Sequence, residues 1–111
     1  MKHDTVFIHH MLDAAKKALT FSAGLNFEDF KADELKQSAI IRQIEIIGEA
    51  ASKVSKEAKK ANPGIPWREI VGMRNRLIHH YFGVDVKLVW EALQKDLPQL
   101  VEQIKDMLSK R

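Results

Sequence analysis

Ile40, Ile44, Ile47, Ala51, Val54 and Ala58 recur at intervals of four, three, four, three and four. Only a helix, with about 3.6 residues per turn, puts such a series on one face. Ile8, Leu12, Ala15 and Leu19 repeat the pattern near the start of the chain, and Leu93, Leu97, Leu100, Ile104 and Leu108 near its end. No stretch alternates apolar and polar residues with the β-branched enrichment a strand needs. The chain therefore reads as all-α.

Glycines and prolines divide the pattern. The first helix is expected from Asp4 to Ser22, ending at Gly24. Asn26 can cap a single turn, Phe27 to Phe30. A second helix is expected from Asp33 to about Lys60. The loop Asn62-Pro63-Gly64-Ile65-Pro66 then leads into a third, from Pro66 to about Tyr81, with Gly83 breaking it. Asp85 can cap the last helix, and Pro98 inside it should kink it or divide it in two. With 111 residues this is one domain, 1–111, and an antiparallel bundle of four to five helices.

The second helix is over-wide in apolar residues. Ile41 and Ile46 lie off its main stripe and carry the apolar arc past half the circumference. One neighbouring helix does not cover such an arc, so this helix is expected both at the centre of the bundle and in a homodimer interface. A chain this short buries only roughly 65% of its unfolded surface, which also favours self-association.

Composition narrows the function. The chain has no cysteine, which removes disulfides, thiol nucleophiles and cysteine-based zinc sites. His9 and His10 lack a second pair of metal ligands at useful spacing. No metal and no cofactor are expected. No apolar run approaches the ~18 residues a membrane span needs, and Asp4, His9, His10 and Asp13 interrupt what a signal peptide would keep apolar. A cytoplasmic protein with no membrane partner is expected. The net charge of +3, from 18 basic and 15 acidic residues, permits an anionic partner without requiring one.

The third helix carries the chemistry. At 100° per residue, Ile70, Val71, Leu77, Ile78 and Tyr81 share an arc of about 120°, and Arg74 falls in its middle. A guanidinium centred on an apolar face is costly unless it is paired or lines a cleft. Read alone, Arg74 is a structural arginine making an ion pair or capping a carbonyl. His79 and Tyr81 change that weighing. Arginine offers a fixed cationic fork for phosphate, and histidine moves protons near neutral pH. Together they can cleave RNA without metal, with histidine exchanging a proton at the 2′-hydroxyl or the leaving oxygen and arginine stabilising the phosphorane. One helix, however, sets positions 74 and 79 about 140° apart. Either the helix ends or distorts near Ile78, or a second copy completes the site.

The run Gly72-Met73-Arg74-Asn75-Arg76-Leu77-Ile78-His79-His80-Tyr81-Phe82-Gly83-Val84-Asp85 resembles the signature of HepT-like toxins, small all-α ribonucleases of the HEPN superfamily. Their motif, Arg, four residues, His, one residue, Tyr, matches Arg74, His79 and Tyr81 without a gap. Ile41 to Ala50 is similar to the family's second-helix pattern, Asn62 to Trp67 to its loop into the third helix, and Val84-Asp85 with Val89-Trp90 to the start of its last helix. The resemblance spans nearly the whole chain. It implies a HEPN-type bundle and a homodimeric, metal-independent endoribonuclease with two motif copies facing across the dimer cleft. It also implies the toxin of a type VII toxin–antitoxin pair, acting on RNA. The implied partner is an MNT-type nucleotidyltransferase antitoxin that transfers AMP from ATP onto Tyr81. Asn75 would help orient the site. The position between His79 and Tyr81 is variable in the family, so the proton transfer must be assigned to His79 or His80; the motif favours His79, which leaves His80 as a solvated or supporting residue.

Two other readings stand beside it. The bundle can be a non-catalytic module that binds a nucleotidyltransferase, with Tyr81 only a modification acceptor, or a structural helical dimer. The acids Glu45 and Glu49 can hold Arg42 or Arg74, or simply face solvent. Lys53, Lys56, Lys59, Lys60, Lys105, Lys110 and Arg111 can steer RNA phosphates, although interleaved acids favour a solvated surface. Trp67 and Trp90 read as packing anchors, and Arg76 as a surface residue.

Overall fold

The computed structural model describes residues 2–79 and 85–110, with the side chains of Lys2, Ile78 and His79 set aside. Among the described residues all regular structure is helical. The segments are α1 (Lys2–Ser22), α2 (Phe27–Ala32), α3 (Glu34–Ser52), α4 (Lys56–Ala61), α5 (Trp67–His79), α6 (Val86–Glu91), a π-helical turn (Ala92–Asp96) and α7 (Leu97–Ser109). None is long and apolar enough to cross a membrane.

Local chemistry sets the boundaries. Gly24, at φ +80°, takes the left-handed conformation that terminates α1, a geometry other residues adopt only with strain. Asn26 opens α2 with a capping box: its side chain accepts from the Asp29 N–H at 2.8 Å, and the Asp29 carboxylate accepts from the Asn26 N–H at 3.4 Å. Asp33 caps α3 through the Lys36 N–H at 2.9 Å, and Asp85 caps α6 through the Leu88 N–H at 3.2 Å.

The core runs the length of the bundle. Ile8, Met11, Ala15 and Ala18 of α1 meet Ile40, Ile44, Ile47 and Ala51 of α3, with Leu93, Leu97 and Ile104 closing the third side. Helix α3 is central, packed on α1, α2 and α5. Its off-stripe residues Ile41 and Ile46 are half-buried, as the wide apolar arc requires. Trp90 anchors α6 by stacking obliquely on Phe30 and Phe27, with ring centroids 5.5 and 6.0 Å away.

Two features depart from simple periodicity. The helix expected from Asp33 to Lys60 is interrupted. Helix α3 ends at Ser52, and Ser55 is extended (φ −65°, ψ 157°) before α4 begins. The cause is distant in sequence. Asp4, only 3% exposed, accepts hydrogen bonds from the Ser55 N–H at 2.8 Å and the Ser55 Oγ at 2.7 Å. Val54 still faces the core on the far side of the break. Pro98 acts as expected, dividing the last helix. Because proline has no N–H to donate and its ring crowds the preceding turn, the backbone widens just upstream, and the Leu97 N–H reaches back to the Ala92 carbonyl in the π register.

Candidate active site

The loop before α5 is braced on both sides. The Trp67 indole donates to the Asn62 carbonyl at 3.0 Å, the Asn62 amide to the Ala58 carbonyl at 2.9 Å, and Gln103 to the Gly64 carbonyl at 2.7 Å. Ile65 is buried beneath it. The Pro66 carbonyl accepts from the Ile70 N–H at 3.0 Å, so the helix starts where the proline permits. Among the described residues, α5 packs mainly on α3. Leu77 is buried there, with Ile70 half-buried beside it.

Arg74 lies on this packed face, as the apolar arc places it. It is half-buried, and its stem rests against Gly48 of α3. Its head is not neutralised. Among the described residues it forms no ion pair. One terminal nitrogen donates to Asn75 Oδ1 at 3.0 Å, and Nε is buried with no acceptor among the described residues. A guanidinium cannot shed its charge, so that buried donor is held at a cost. The two acids in the middle of α3 are engaged elsewhere: Glu45 and Glu49 hold Arg42 at 3.4 and 3.3 Å. The structure thus brings Arg74 and Asn75 together, and among the described residues no carboxylate reaches Arg74.

Helix α5 continues through His79. Positions 74 and 79 are therefore about 140° apart on the helix, and an end or distortion just past Ile78 falls at the edge of the described residues. The His79 side chain, His80, Tyr81 and the expected break at Gly83 lie outside the described residues.

A cavity of about 420 Å³ opens on another side of α5, floored by Ile44, Ile47, Met73 and Leu97 and bordered by exposed Arg76 and Asp96. Arg76 is thus a surface residue about 160° round the helix from Arg74. Several lysines offered by the sequence as phosphate contacts already have partners. Lys53 lies over Phe7, Lys59 over Trp67, and Lys105 and Lys110 pair with Glu102 and Asp106. Gly72 borders the cavity, and a Cβ there would meet no atom within 4 Å. Gly72→Ala should raise stability by about 0.5–1 kcal/mol through helix propensity alone, seen as a rise of a few degrees in Tm; a fall would mean the position is occluded.

The family model for ribonuclease HepT-like proteins matches residues 11–107. The chain belongs to the HepT-like ribonuclease family. A relative in Caldanaerobacter subterraneus, named provisionally as an RNase, is 39% identical over 110 residues, covering 99% of this chain and 98% of its own. One in Thermococcus cleftensis, named provisionally as ribonuclease HepT, is 42% identical over 94 residues, covering 85% and 86%. No solved structure matches this HepT-like chain.

Proposed function

We propose that the chain is a metal-independent endoribonuclease, the toxin of a type VII toxin–antitoxin pair, working as a homodimer in which Arg74 and His79 act on one scissile phosphate. The observation that carries this reading is the state of Arg74: half-buried, steadied by Asn75 and, among the described residues, without a carboxylate and with an unanswered Nε–H. A phosphate oxygen is the acceptor such a fork suits. The 2′-oxygen attacks phosphorus, the bond to the 5′-oxygen breaks, and the 2′-proton is taken up as the leaving oxygen gains one. His79 serves one of these transfers, and Arg74 stabilises the phosphorane. His80 supports His79. The angular separation along an unbroken α5 favours a site shared between copies, Arg74 from one and His79 from the other.

The MNT-type nucleotidyltransferase partner would move AMP from ATP onto the Tyr81 hydroxyl, releasing pyrophosphate. An added anion beside Arg74 would cancel its attraction for RNA phosphate.

The test is RNA cleavage in excess EDTA with intact mass measured on the same preparation. Unmodified chain should cut. Arg74→Ala and His79→Ala should each be inactive, and mixing the two through unfolding and refolding should restore part of the activity, because a mixed dimer holds one complete site. No recovery on mixing would place both groups in one chain. No cleavage of any RNA class by unmodified protein would favour the non-catalytic binding module.

A further inference from the structure

We propose that Gly48 is a positioning residue for Arg74, a role that rests on the ribonuclease reading above. Gly48 is buried in the middle of α3, where glycine is a poor helix former. A Cβ built on it would collide with the Arg74 Cβ, lie 2.8 Å from the Arg74 Cγ and 3.2 Å from the Ile70 carbonyl oxygen. Neither Cβ nor Cγ is the free end of a side chain. The arginine cannot swing clear by changing its distal rotamers, so relief requires α5 itself to shift at the motif arginine. At Gly64 and Gly72 an added Cβ meets nothing within 4 Å, and Gly24 is required by its positive φ. Among the described glycines clearance is thus the specific property of Gly48, and most of what it clears is Arg74.

The consequence for chemistry is positional. The Arg74 stem is held against the α3 backbone and its head is steadied by Asn75, so the two contacts define where the guanidinium sits. A methyl group at 48 displaces that head by a fraction of an ångström to about one ångström, and displacements of this size cost up to about a hundredfold when a charge must meet a developing one.

The experiment compares full-length wild type, Gly48→Ala, Arg74→Gly and the Gly48→Ala/Arg74→Gly double variant. It measures cleavage of a defined RNA, thermal unfolding, and the ¹H–¹⁵N signal of the Arg74 Nε–H, identified by its loss in Arg74→Lys. Gly48→Ala should fold, shift the Nε–H signal and lower kcat at least tenfold with a smaller change in KM. In the Arg74→Gly background, where both colliding side-chain atoms are gone, the same substitution should cost much less thermal stability and no further activity. An unmoved Nε–H signal, or unchanged kcat per folded molecule, overturns the proposal. If Gly48→Ala does not fold, recovery of folding in the double variant supports it, and failure to recover assigns the collision to the Ile70 carbonyl and overturns it. If the wild type cuts no RNA the ribonuclease reading fails, while the Nε–H shift still decides whether Gly48 positions Arg74.

Discussion

Arg74→Ala should lower RNA cleavage by at least about 10²–10³-fold while leaving the bundle as stable as before. The first half follows from its assigned work, because loss of one pre-aimed donor to a developing anion has that magnitude. The second half is less usual and follows from the site. Truncating a half-buried arginine normally removes packing by its aliphatic stem. Here it also removes a buried Nε–H that no described residue accepts, a penalty of about 1–3 kcal/mol in its own right. The two terms oppose each other, so the net change should stay within about 1 kcal/mol of zero. Thermal unfolding and single-turnover cleavage on one preparation check both halves. A large loss of stability would mean that Arg74 has a structural acceptor, and would turn it from a phosphate ligand into a packing element. Retention of cleavage would remove it from the chemistry. The combination expected, lost activity without lost stability, is the signature of a residue kept for function against the interests of the fold.

How far the chain could be read in advance depended on the range of the interactions involved. Helix positions followed from apolar spacing, and the capping roles of Asn26 and Asp85 from side chains acting within three residues. The division of the last helix followed from Pro98, since the missing donor acts on the turn immediately before it. The place of Arg74 on a packed face was legible too, because angular position along a helix is a local quantity. Three features were not. The break between α3 and α4 depends on Asp4, 51 residues from Ser55, and the apolar stripe runs on through the break without a change of period. The function of Gly48 depends on what faces it across two helices, and a glycine inside a helical pattern carries no mark of its neighbour. Glu45 and Glu49 had two cations within reach on paper, and only packing assigned them to Arg42. Family resemblance supplied roles for His79 and Tyr81 that physics alone ranks low, since a histidine five residues from an arginine is common by chance.

Asp4→Ala should produce the largest stability loss among the polar substitutions, roughly 2–3 kcal/mol. Its carboxylate is almost wholly buried, and each oxygen takes one hydrogen from Ser55. Both bonds are charge-assisted. Removing the acceptor leaves the Ser55 N–H and hydroxyl to find others inside the bundle. The loss also spreads, because Ser55 Oγ accepts from the Ala58 N–H and so caps α4. For a chain of this length the expected fall in Tm is roughly 10–20 °C. Ser55→Ala is the calibrating variant. It keeps the backbone N–H bond to Asp4 but loses the hydroxyl bond and, with it, the α4 cap, so it should cost a comparable amount, and the two substitutions together should cost less than their sum. Hydrogen exchange locates the effect: the Ser55 amide should lose protection in Asp4→Ala and keep most of it in Ser55→Ala. Cleavage per folded molecule should not change, because Asp4 holds a chain break and touches neither Arg74 nor Asn75. A drop in Tm of only a few degrees would mean that burial of Val54 holds the break without Asp4. Set beside Arg74→Ala, the expected outcome is reversed: one substitution removes activity and spares the fold, and the other weakens the fold and spares the activity of every molecule that remains folded.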